Sequence, residues 1–279
     1  LFQQFYNVVD SIVAGQFLGV QALAAIGSTG SLMFFVIGWL NGLTSGFAIM
    51  VAQSFGAKQY DRMRHYVAMS IYLSVAFALV MMIGFSVANE QILRLMNYSD
   101  EIMPSVKGYM GIIYMGLLVT VAYDALSAFL RALGDSRSPL YFLMISAGIN
   151  VVLDIVLIVV MGMGVEGCAY ATVIAQAIAA LVGLWLNVRF NKELRLHRAG
   201  FLPNGTVIAE ILRVGIPVAL SQCLISVISF GMNNILLSLS AVTPGIYVIY
   251  IRLQSFVIMP SGGMSTAGIS IIAYNYGAQ

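Results

Sequence analysis

The chain of 279 residues is 60% hydrophobic and only 9% charged, with a net charge of +2 and a mean hydropathy of +0.94. A soluble domain carries roughly a quarter charged residues, so this composition excludes an ordinary water-solvated fold and leaves a lipid bilayer as the natural solvent. The small net charge gives nucleic acid no electrostatic footing. Cys168 and Cys223 lie inside apolar sequence, both histidines lie in polar stretches, and no nucleotide loop, metal-ligand spacing or nucleophile motif appears. The chain is therefore expected to be no enzyme and to use neither nucleotide nor cofactor.

Apolar stretches of about 20 residues recur, each long enough to cross a hydrocarbon core of roughly 30 Å as one helix. In chain order they cover about residues 1–26, 31–53, 67–88, 105–130, 140–162, 165–188, 211–239 and 246–274. None shows the two-residue alternation of a membrane barrel, so the expected fold is an all-α polytopic membrane protein with about eight transmembrane helices. The sequence opens at Leu1 already inside apolar residues, without the charged start of a signal peptide, and the first helix is expected to be truncated. Pro139 suits the first turn of the fifth segment and Pro217 the start of the seventh. Pro260 falls inside the eighth and predicts a kink of the sort that lines transport paths.

Positive charge sets the orientation. Lys58, Arg62 and Arg64 follow the second segment, Arg131 and Arg137 the fourth, and Arg189, Lys192, Arg195, Arg198 and Arg213 the sixth. These connections are expected in the cytoplasm, because short loops rich in Lys and Arg stay on that side.

A long-range repeat gives the domain plan. Phe35-Val36-Ile37 recurs as Phe256-Val257-Ile258, and the stretch 42–57 (GLTSGFAIMVAQSFGA) recurs as 263–278 (GMSTAGISIIAYNYGA), both at an offset of 221. A period this long implies duplicated bundles with six crossings each, which leaves the two copies in the same orientation. Residues 1–200 are expected to form an N-terminal six-helix lobe and residues 201–279 the first two helices of a C-terminal lobe. On this reading eight helices are present of an expected twelve.

Asp10, Asp124 and Asp154 interrupt apolar segments, where a carboxylate is disfavoured by about 2.5–3.5 kcal/mol and is a functional candidate by default. Asp10 and Asp154 each lie roughly 15 Å from the outer end of their helix, Asn150 stands one turn from Asp154, and Thr172 lies roughly 10 Å below the outer end of the sixth helix. Asp10, Asn150, Asp154 and Thr172 can thus share one cavity near the midplane. Two carboxyl groups in a low dielectric would share protons or admit a cation such as Na+. Asp124 lies two turns before Arg131, in the inner half, where a structural or inner-gate role is as open a reading as ion coupling. Tyr123 and Tyr141 are aromatic candidates for the substrate path, together with Pro260.

The chain resembles the multidrug and toxic compound extrusion family over its whole length. The motifs that carry the resemblance are Val9-Asp10-Ser11 with Gly15, Gly19 and Ala22-Leu23-Ala24-Ala25, then Gln53-Ser54-Phe55-Gly56-Ala57, Arg131-Ala132-Leu133-Gly134-Asp135 with Pro139, Asn150 to Asp154, and Gly164-Val165-Glu166-Gly167. The resemblance implies two six-helix lobes around a cleft that opens alternately outward and inward. It further implies an antiporter that exports cationic or amphipathic organic compounds in exchange for H+ or Na+, as a monomeric, multi-pass protein of a prokaryotic plasma membrane. Family members with an N-terminal-lobe ion site place an aspartate, an asparagine, a second aspartate and a threonine at the positions of Asp10, Asn150, Asp154 and Thr172. The seventh segment carries no acid in SQCLISVISF, unlike members with a C-terminal-lobe site. A lipid-linked oligosaccharide flippase of the same wider superfamily is the alternative expectation, and it would need basic residues along the cleft.

Overall fold

The computed structural model describes residues 12–13, 15–19, 22, 25–27, 29–96, 102–190, 202–239 and 243–278. Within them the secondary structure is helical throughout. In order, the helices are α1 (Gly30–Gly56), α2 (Tyr60–Leu95), α3 (Met103–Met115), α4 (Leu117–Ala132), α5 (Arg137–Asp154), α6 (Val165–Phe190), α7 (Gly205–Leu239) and α8 (Thr243–Ala278). A π-helical stretch, Ile155–Val160, continues α5.

The connections follow from local chemistry. Between α4 and α5, Gly134 adopts φ +87°, a conformation open to glycine, and the Asp135 carboxylate accepts the backbone N–H groups of Arg137 at 3.1 Å and Ser138 at 3.0 Å. Pro139 then falls in the first turn of α5, where its missing N–H leaves nothing unsatisfied. At the other membrane face Gly162 and Gly164, at φ +66° and +64°, turn the chain from the π-helical stretch into α6. Asn204 caps α7 by accepting the N–H of Thr206 at 3.0 Å.

Four expectations are corrected. The segment 105–130 is two helices, α3 and α4, bent by 49° at Gly116. At the bend Gly116 packs closely on α6, where an added Cβ would stand 2.4 Å from Val173 Cγ2. The segment 1–26 is interrupted around Gly19, whose φ is +86°. Pro217 lies well inside α7, which starts at Gly205 on the Asn204 cap. Finally, among the described residues five helices, or six with the bent pair, are long and apolar enough to cross a membrane, against about eight expected. The first segment lies mostly outside the described residues, and α8 is long enough, but Ser261, Gly262, Gly263, Ser265, Thr266, Gly268 and Ser270 dilute its hydropathy. The all-α polytopic membrane class stands.

Two apolar cores stack along the bundle. One, towards the ends assigned to the outside, gathers Leu40, Leu93, Met110, Tyr114, Leu117, Ile158 and Ala169. The other, towards the ends assigned to the cytoplasm, gathers Phe47, Met63, Tyr66, Phe129, Phe142, Ile211 and Ala273. Helix α1 is the hub, packing on α2, α4, α7 and α8. It lies against α7 through small residues: a Cβ at Gly42 would stand 2.5 Å from Ala219 Cα, and one at Gly46 2.5 Å from Gly215 Cα. With Gly42 and Gly46 facing Gly215 and Ala219, four residues apart on each helix, the backbones approach as they do in membrane helix pairs generally.

Candidate functional site

Asn150 and Asp154 are both fully buried, at 0% exposure, one turn apart at the end of α5. The π-helical stretch begins at the next residue, and such insertions cluster at functional sites because they widen the turn and re-aim the side chains around it. The Asn150 amide donates to the Thr172 hydroxyl of α6 at 3.5 Å. Two of the four sequence-nominated ion-coupling residues, Asn150 and Thr172, therefore meet between α5 and α6, with buried Asp154 one turn from Asn150. Asp10 lies outside the described residues. The donor set is a carboxylate, an amide and a hydroxyl, all hard oxygen ligands apart from the amide N–H, and these suit H+ or Na+ rather than a soft transition metal.

The polar residues extend past Thr172. Gln176, one turn further along α6, accepts a hydrogen bond from the Thr120 hydroxyl of α4 at 2.7 Å. Asp124 stands one turn beyond Thr120 on α4. A ladder of side chains thus steps from Asp154 through Asn150, Thr172, Gln176 and Thr120 to Asp124. Neither Thr120 nor Gln176 was singled out by sequence, although the four-residue spacings from Thr172 to Gln176 and from Thr120 to Asp124 could have nominated them.

Asp124 and Tyr123 line a cavity of about 920 Å³ framed by α1, α4, α5 and α8, with Arg131 on the same wall. One Asp124 carboxylate oxygen is buried there without a hydrogen-bond partner. Two further candidates fall elsewhere: Tyr141 is 58% exposed on α5 and Pro260 is exposed on an unbroken α8, and neither lines this cavity. Helix phase decides the first, since the adjacent Leu140 faces inward, whereas Pro260 stands one turn along α8 from Gly263, the nearest residue of that helix in the lining.

Below the cavity the ends of α1 and α8 cross. A Cβ at Gly56 would overlap the carbonyl oxygen of Tyr274, and one at Gly277 would overlap that of Gln53. The Phe55 and Tyr274 rings meet at 5.6 Å. Nearby, Tyr66 of α2 donates to Glu210 of α7, and Arg62 reaches the same carboxylate at 3.3 Å. Sequence reading had placed Arg62 only as an orienting charge.

An all-α bundle of helices long and apolar enough to cross a membrane, with carboxylates buried on α4 and α5, defines a multi-pass membrane protein. The chain belongs to the MatE family, whose model matches residues 1–156. It is 28% identical to the probable multidrug resistance protein YoeA of Bacillus subtilis (strain 168) in an alignment covering all of this chain and 62% of YoeA. A solved outward-facing multidrug resistance MATE family transporter of the MOP superfamily superposes with a TM-score of 0.92 at 26% identity, over 99% of this chain and 62% of that one. The inward-facing conformation of such a transporter superposes less well, with a TM-score of 0.82 at 27% identity, over 95% of this chain and 60% of the other. This chain spans about three fifths of the length of the relatives it matches. Family membership places it among the multi-pass proteins of the plasma membrane.

Proposed function

We propose that this chain works in a secondary active antiporter that exports cationic or amphipathic organic compounds in exchange for H+ or Na+, with Asp10, Asn150, Asp154 and Thr172 as the coupling site. The observation that carries the reading is the complete burial of Asp154 and Asn150 beside the Thr172 hydroxyl, because a midplane carboxylate in a dry, polar-lined site is the arrangement an exchanging cation needs. Binding of an ion there alters the packing of α5 on α6 and, through Gln176 and Thr120, reaches α4 and the cavity wall. Residues 1–200 act as one lobe and α7 and α8 open a second, so that the crossing at Gly56 and Gly277 seals the cytoplasmic side in the outward-facing phase. The higher likeness to an outward-facing relative supports that assignment.

A charge moving through the full membrane potential supplies about 2.3 kcal/mol per 100 mV, so one exchanged proton supports substantial accumulation. The test is efflux of a cationic dye from vesicles carrying the full-length protein, under separately imposed proton and sodium gradients. Export driven by one gradient identifies the ion. Absence of gradient-driven export of any cationic dye would overturn the reading and favour a lipid-linked oligosaccharide flippase.

A further inference from the structure

The cavity beside α4 serves none of the groups assigned to ion coupling. Its volume of about 920 Å³ is at the upper end of what drug-sized ligands occupy. Asp124 and Arg131 both line it, two turns apart on one face of α4, so about 10 Å of helix separates an acid deep in the cavity from a base near its cytoplasmic end. Among the described residues neither takes part in an ion pair within 4 Å. The two charges form no direct pair, and a buried carboxylate oxygen without a hydrogen-bond partner is strongly disfavoured in so apolar a setting. Asn41, Thr266 and Ser270 add neutral polar groups on the facing helices, and Tyr123 adds an aromatic wall.

We propose that this cavity binds a zwitterionic organic molecule, with its ammonium on Asp124 and its carboxylate on Arg131. The charges decide between ligand classes. A simple cation would leave the Arg131 guanidinium unpaired, and a simple anion, such as a pyrophosphate headgroup, would leave the Asp124 carboxylate unpaired. A molecule carrying both charges at opposite ends of an apolar spacer satisfies both, and the guanidinium can take the carboxylate through two parallel hydrogen bonds. The cavity lies just above the crossing of α1 and α8, with Phe55 and Tyr274 in its lining, and Asp124 joins it to the ladder that leads to Asp154. The proposal rests on the export reading for its physiological meaning, but the binding chemistry stands apart from it.

The experiment is equilibrium binding to the solubilised full-length protein, without any ion gradient. The probes are 4'-(aminomethyl)biphenyl-4-carboxylate, which holds its charges at the two ends of a biphenyl, and its methyl ester, a plain cation. Wild type is expected to bind the zwitterion about tenfold more tightly than the ester, and Arg131→Gln to remove that advantage without weakening the ester. Asp124→Asn is expected to weaken both by about tenfold, and Asp124→Glu to restore both. Equal binding of the two probes by wild type, equal losses for both in Arg131→Gln, or unchanged binding in Asp124→Asn would each overturn the proposal. Melting temperatures check folding, and if Asp124→Asn fails to fold, Asp124→Glu and Arg131→Gln decide alone. Failure of dye export with this binding pattern intact would sink the antiport reading and leave the site standing, while the reverse result would do the opposite.

Discussion

Gly56 and Gly277, 221 positions apart in the sequence, are each the point at which one helix rests on the backbone of the other: Gly56 against Tyr274, and Gly277 against Gln53. Gln53 and Tyr274 are themselves related by the same offset of 221, so the contact is reciprocal between two copies of one motif. Duplicated elements in the same orientation produce such a crossing when they meet near a two-fold axis running along the membrane normal.

The crossing makes a prediction about conformation. Gly56→Ala or Gly277→Ala puts a Cβ into backbone that cannot rotate away, so the two helix ends must separate, at about 1–3 kcal/mol of overpacking. Spin labels on the α1 and α8 ends of the full-length protein should report a longer distance in either variant, whereas Gly84→Ala, where a Cβ meets open space, should leave it unchanged.

A second prediction concerns the ladder. Gln176→Leu or Thr120→Val alone leaves the other partner of a 2.7 Å hydrogen bond without its mate and should destabilise the protein by about 1–3 kcal/mol. Combining them removes both polar groups, so the double variant should lose less than the two single losses together. Thermal melts of the four proteins form the cycle, and additive losses would mean the bond contributes nothing of its own.

The contact between α2 and α7 separates packing from charge. Tyr66 is 1% exposed and donates to Glu210, while Arg62 reaches Glu210 from a half-exposed position. Tyr66→Phe should destabilise by about 1 kcal/mol, and Arg62→Gln by about 0.5 kcal/mol or less, with the second effect vanishing in high salt. Melting temperatures at low and high ionic strength distinguish the two.

Much of this arrangement was legible in the sequence, for reasons that also mark where legibility ended. Segment lengths and hydropathy located the helices, and the four-residue step from Asn150 to Asp154 put amide and carboxyl on one face before any contact was known. The repeat showed that residues 42–57 and 263–278 are counterparts but not that they touch. Helices apolar all round carry almost no amphipathic phase, so sequence leaves their rotation about the axis undetermined. Tyr141 falls one residue away from the cavity-lining Leu140 for that reason, Pro260 falls one turn away from Gly263, and the Thr120–Gln176 and Tyr66–Glu210 pairs went unseen. The bend at Gly116 was hidden as well, since the close contact made there is with Val173 on a different helix.

In the proposed mechanism a cation exchanges with substrate at Asp154. The most direct measurement is ion movement itself: uptake of protons or radioactive sodium into vesicles as the full-length protein moves a cationic dye the other way. Wild type should show dye-dependent ion flux, and Asp154→Asn, which keeps a polar group of the same shape in the buried site, should fold and bind dye yet show none. Dye-dependent ion flux undiminished in Asp154→Asn would contradict the account.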